Sequence, residues 1–154
     1  NATFEYARQV EIYLPDYYQP ALIGAKLDMD NHTLDLTFTK DMLSSSALLS
    51  ELVIQDASLE GAQTQSVVFD TNKAYVINTE DKRELNLRLN TTTFNVIKTM
   101  NFLGLIQGKT FVSITTDFIT DKVDNRNKVV AVTTASAFGL TQFVPDQTRP
   151  TLVR

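Results

Sequence analysis

The residues able to do chemistry are few. His32 is the single histidine, and the chain has no cysteine. Thiolate zinc sites, disulfides and cysteine nucleophiles are therefore excluded. A lone histidine supplies neither a zinc cage nor, unaided, a standard catalytic triad, and its turn-rich surroundings make it a turn residue. Paired-carboxylate hydrolysis would need two acids across a cleft, and no spacing points to such a pair. Glycine-rich phosphate loops are absent. What remains is a set of aspartates near expected loop ends: Asp16, Asp28, Asp30, Asp41, Asp117, Asp121, Asp124 and Asp146. Calcium is the one cofactor such loops admit, but the stretch 121–127 lacks the alternation and glycine of an EF-hand loop. A solvated turn is the favoured reading, with no cofactor.

Three Asn-x-Thr sequons, at Asn1, Asn31 and Asn90, are acceptors for N-linked glycans if the chain is secreted. Asn31 falls on an expected hairpin tip, whereas Asn90 precedes an expected helix and can serve as its cap. Of the aromatics Tyr13, Tyr17, Tyr18 and Tyr75, which could stack on sugars, Tyr17 and Tyr18 lie beside prolines and suit an interdomain joint better.

The elements that position these residues read as strands. From Ala21, alternation places Ala21, Ile23, Ala25, Leu27 and Met29 on one face. Turn residues 28–32 lead into a second strand with Leu34, Leu36 and Phe38 inward and threonines outward. Residues 41–49 read as a loop with a helical turn. Leu52–Ile54, Val67–Phe69 and Ala74–Ile77 are short strands, and Leu85, Leu87 and Leu89 mark another. The spacing of Phe94, Ile97 and Met100 predicts a helix near 92–101, capped by Asn90 or a following threonine. Phe111–Thr116 and Val129–Thr134 are strands around a turn-rich stretch, and Phe138–Val144 closes the unit. Seven to nine strands with one short helix predict an all-β, antiparallel immunoglobulin-like sandwich.

An internal repeat sets the expected boundaries. Tyr13-Leu14-Pro15-Asp16 followed by Gln19-Pro20-Ala21-Leu22-Ile23 matches Phe143-Val144-Pro145-Asp146 followed by Arg149-Pro150-Thr151-Leu152-Val153, every pair 130 apart. Proline cannot donate to a ladder and fixes its own φ, so Pro15, Pro20, Pro145 and Pro150 make stiff connectors with Asp16 and Asp146 between them. The expected organisation is a closing strand of a preceding repeat plus linker at 1–16, a complete repeat at 17–146, and a linker with the start of the next repeat at 147–154. A lone closing strand would leave its backbone groups unsatisfied, so residues 1–14 are expected to pair within an array or with another chain.

Three segments carry a family resemblance. Lys26–Lys40 (KLDMDNHTLDLTFTK) with Ser44–Ser46, Leu85–Asn90 with Phe94–Lys98, and Phe111–Thr116 with Ile119–Asn125 resemble the strands and turns of tandem immunoglobulin-like repeats in giant extracellular surface and adhesion proteins. That class is akin to surface-layer immunoglobulin-like domains and occurs in algal and protist mastigoneme-type filament proteins. Asp124 stands where the pattern has glycine, and an aliphatic loop, 102–106, follows the helix. The resemblance implies a non-enzymatic structural or adhesive unit, extracellular, at a cell surface or in a filament. Its partners would be neighbouring copies and N-linked glycans, with a carbohydrate- or protein-binding module as the alternative. A net charge of −4 without a basic cluster argues against nucleic acid, and no apolar run approaches a membrane span.

Overall fold

A computed structural model describes residues 14–59, 65–100 and 107–153. Among the described residues nine strands form two sheets around one apolar core, with one α-helix. The strands are β1 (Leu22–Asp28), β2 (Thr33–Phe38), β3 (Leu52–Gln55), β4 (Ser66–Val68), β5 (Ala74–Val76), β6 (Glu84–Leu89), β7 (Phe111–Ile114), β8 (Phe138–Gly139) and β9 (Gln142–Val144); the helix α1 is Thr91–Thr99. The first sheet has the order β5-β6-β2-β1-β9 and the second β4-β3-β7-β8.

Period-two patterning explains the central strands. Leu34, Leu36 and Phe38 of β2 and Leu85, Leu87 and Leu89 of β6 are buried, and Leu34 faces Leu87 and Leu36 faces Leu85 across the ladder. Leu52, Ile54, Val67, Val112 and Ile114 meet them from the second sheet. Each such side chain contributes roughly 1.5–3 kcal/mol on leaving water. Asn90 caps α1 by accepting from Thr93 N, and Phe94 and Ile97 bury its inner face.

Four expectations need correction. In β1 the inward residue is Leu22, while Ile23 is 52% exposed. The register shifts between Leu22 and Gly24, so Ile23 is a bulge residue and alternation restarts at Ala25. Segment 129–134 is not a strand; Val132 alone bridges Ile114, and a 3₁₀ turn follows at Thr134–Ser136. The closing segment is two strands rather than one, since β8 pairs with β7 in the second sheet and β9 with β1 in the first. Finally, the sandwich is not wholly antiparallel, because β9 runs parallel to β1, with Leu27 opposite Phe143. Residues 1–13, and with them most of the expected pairing strand 1–14, lie outside the described residues, as does the loop 102–106.

Candidate functional site

The polar chemistry concentrates at the two ends of β1, where the proline segments attach. Seven residues at about 3.3 Å each separate these ends by about 20 Å.

At the end where β1 begins, Lys40 is the hub. It follows the end of the central strand β2 by two residues and places Nζ 2.6 Å from Asp16 Oδ2, 2.6 Å from Asp121 Oδ2 and 2.9 Å from the Tyr18 carbonyl. Asp121 is fully buried and also accepts from Asn127 N and Nδ2. The turn 121–127 makes this contact because Thr120 bridges Lys128, closing a narrow hairpin whose tip has Arg126 at φ 49°. From that hairpin Asn125 Nδ2 and Asn127 Nδ2 both donate to the Asp16 carbonyl, at 2.8 and 2.7 Å. Asp16 Oδ1 accepts from Tyr18 N, forming an Asx turn. Val130 N donates to the Pro20 carbonyl, and Ala21 and Thr39 exchange two bonds. The Lys40 ammonium and then the Tyr18 amide hold the Asp16 carboxyl below the ordinary aspartate range. Burial pushes Lys40 down, but its bonds to Asp121 and Asp16 outweigh this and hold it above the ordinary lysine value.

At the other end, the β1–β2 turn, the C-terminus of α1 and the segment after β9 converge. Met29 N donates to the Val144 carbonyl. Asp146 Oδ2 pairs with Lys98, and Asp146 Oδ1 accepts from Thr148 N at 3.0 Å, an Asx turn matching that of Asp16. Lys98 and then the Thr148 amide keep the Asp146 carboxyl below its ordinary range. Asp30 Oδ1 accepts from Gln147 N and Thr148 Oγ1. Asp28 is buried, which alone would raise its pKa, yet bonds from Asn31 and Asp30 bring it below the ordinary value. His32, at φ 60° in the turn, stacks on Phe94 at 3.6 Å, and Lys98 stands 5.1 Å over the same ring.

Of the linker residues, Pro20 is buried, Pro15, Asp16 and Asp146 are partly buried, and Pro145 and Pro150 are exposed. Tyr17 and Tyr18 are 71% and 85% exposed. The structure gathers the expected acidic residues into two separate groups, Asp16 with Asp121 and Asp28, Asp30 and Asp146; Asp41 and Asp124 are exposed nearby, and Asp117 pairs with Lys128. Among the described residues no three metal-ligating side chains converge. Asn31 is exposed in its turn, its amide donating to Asp28, while the Asn90 amide donates to the Asn72 carbonyl; Asn1 lies outside the described residues. Sequence reasoning missed Lys40, Lys98 and Asn127. They are far from the linker aspartates in sequence, and only tertiary folding brings them there. Among the described residues no helix is long and apolar enough to cross a membrane.

No family model matches the chain, and no curated protein matches it. Solved structures to which it is similar include the S-layer protein rSbsC(31-844), at a TM-score of 0.48 and 15% identity, covering 87% of this chain and 14% of that one. Domains 1-6 of surface layer protein SbsC match at 0.46 and 17%, covering 87% and 14%. The N-terminal part of the bacterial S-layer protein SbsC matches at 0.40 and 17%, covering 87% and 25%. The chain thus spans a quarter or less of each of these structures.

Proposed function

We propose that this chain carries one stiff unit of a head-to-tail array in an extracellular structural or adhesive protein, at a cell surface or in a filament, without catalysis. Its partners are neighbouring copies of the same unit, and N-linked glycans at Asn1, Asn31 and Asn90 belong to the same reading. The observation that carries it is the parallel pairing of β9 with β1. A last strand running alongside the first leaves the sandwich at the end opposite to where the chain came in. Units joined in this way extend in a line instead of folding back. The matched Asx turns at Asp16 and Asp146, 130 residues apart, give both ends the same local geometry.

The test is a two-unit protein in which residues 1–146 are followed directly by residues 17–154. Small-angle scattering should show a maximum dimension longer by roughly one unit than that of the single chain. A compact, side-by-side pair with little gain in length would contradict the reading.

A further inference from the structure

We propose that each linker aspartate is a shared clamp between consecutive units, held by Lys98 of the unit before it and by Lys40 of the unit after it. This rests on the head-to-tail reading and adds a joint to it.

The two linkers are bonded in complementary halves. Asp16 is held by the unit that follows it: Lys40 on Oδ2, Asn125 and Asn127 on its carbonyl. Asp146 is held by the unit that precedes it: Lys98 on Oδ2, with Asp30 receiving the next two residues. Among the described residues, no donor from Lys40's side reaches Asp146 and none from Lys98's side reaches Asp16. Superposing the two by their offset of 130 gives one linker with both sets of contacts and no donor used twice. Oδ1 is committed to the Asx turn in both, to Tyr18 N and Thr148 N. Oδ2 receives one ammonium from each side, and a carboxylate has about four lone-pair positions to accept them. The charges fit as well. Asp146 is 18% exposed with one lysine on it, and Lys40 is a second cation whose partner Asp121 is buried.

The carry-over is not uniform. Gln147 N and Thr148 N have backbone counterparts in Tyr17 and Tyr18, so their bonds persist, while the Thr148 hydroxyl that reaches Asp30 has none in Tyr18. Where Tyr17 and Tyr18 occupy the linker, their exposed rings would instead lie between the units. The joint is therefore a fixed angle set by backbone bonds and by a lysine–aspartate–lysine bridge rather than a free tether.

The two-unit protein (residues 1–146 followed by 17–154) makes Asp146 the shared aspartate. The chain has no cysteine, so Glu80→Cys in each unit, an exposed position, takes one spin label per unit. The expected result is a narrow inter-label distance distribution. It should broaden at least twofold with Asp146→Asn, which keeps the turn acceptor and removes the charge, and with Lys98→Met in the first unit. Lys98→Met in the first unit should leave the unfolding midpoint of the second unit unchanged, since Lys98 touches only the linker aspartate and its own unit. A distribution that is already broad, or one that both substitutions leave narrow, overturns the clamp while leaving a linear array intact. If one copy instead loses its cooperative unfolding transition, the linker cannot serve two units, and the head-to-tail reading fails along with the clamp.

Discussion

Lys40 and Asp121 form an ion pair in which one partner is fully buried and the other is one-fifth exposed. A buried carboxylate stripped of its cation is costly, because the remaining donors must carry the whole charge. Lys40→Met leaves Asp121 with only Asn127 and should destabilise the fold by about 3 kcal/mol, measured by urea unfolding. The pH dependence follows from the same groups. Asp16, Asp28, Asp146 and Asp81, whose carboxylate accepts from Ser44 N and Oγ, have folded pKa values below the ordinary one, so their contribution is present above about pH 4 and is lost as pH falls through the folded values. Lys40 is raised, so its contribution is complete below about pH 10.4 and is lost as pH rises through its folded value. Asp35, raised chiefly by burial, works the other way as pH rises past the ordinary aspartate value, so the plateau should begin only above its folded value, and Lys40→Met should flatten the alkaline edge. An alkaline edge identical in the variant and the parent would show that another group titrates there.

At the scale of elements, α1 has a single side-chain cap. Asn90 Oδ1 accepts from Thr93 N while its amide donates to the Asn72 carbonyl, tying the helix start to the turn before β5. Asn90→Ala should cost about 1 kcal/mol, and Asn90→Asp should recover most of it by keeping the acceptor. Equal losses in both variants would assign the effect to the Asn72 bond instead. The helix, its cap and strands β2 and β6 were legible in the sequence because each obeys one period over its whole length, and β3 was legible as a short apolar run. β1 was not, because a period of two cannot register an extra residue, and the bulge at Ile23 moves every earlier side chain to the other face. The stretch 129–134 misled in another way. Its valines are apolar, but their bonds go to three different partners: Val129 to Ile119, Val130 to Pro20 and Val132 to Ile114. β-Propensity records that side chains suit an extended backbone and says nothing of which strand will accept it. As for the poles, the repeat revealed the linker aspartates, whereas Lys40, Lys98 and Asn127 are brought to them only by tertiary folding.

For the whole molecule, the direction in which the chain leaves depends on one crossing. β8 ends in the second sheet at Gly139, Leu140 is buried, and β9 begins in the first sheet at Gln142. Between them Thr141 is tied to Ala25 three times: its amide and its hydroxyl both donate to the Ala25 carbonyl, and the hydroxyl accepts from Ala25 N. The β1 bulge lies at the same place. A Cβ on Gly24 would stand 3.3 Å from Thr37 Cβ, so glycine is what lets β1 and β2 pair this closely at the bulge, while Thr141 Oγ1, at 3.6 Å, is in ordinary contact distance. The Thr141–Ala25 bonds fasten the chain to β1 directly ahead of the parallel pairing that starts at Lys26 and Gln142. Thr141→Val keeps the shape and removes the hydroxyl, leaving the Ala25 amide without its acceptor, at a cost of about 1–3 kcal/mol. Hydrogen exchange should locate that loss at Ala25 and along β9, with the β2–β6 ladder still protected at the global level. In the two-unit protein the same substitution should broaden the inter-unit geometry even with Asp146 and both lysines present, because a loosened β9 no longer fixes where Asp146 emerges. A uniform loss of protection across both sheets would mean that the crossing is part of the global fold and has no separate hold on the exit.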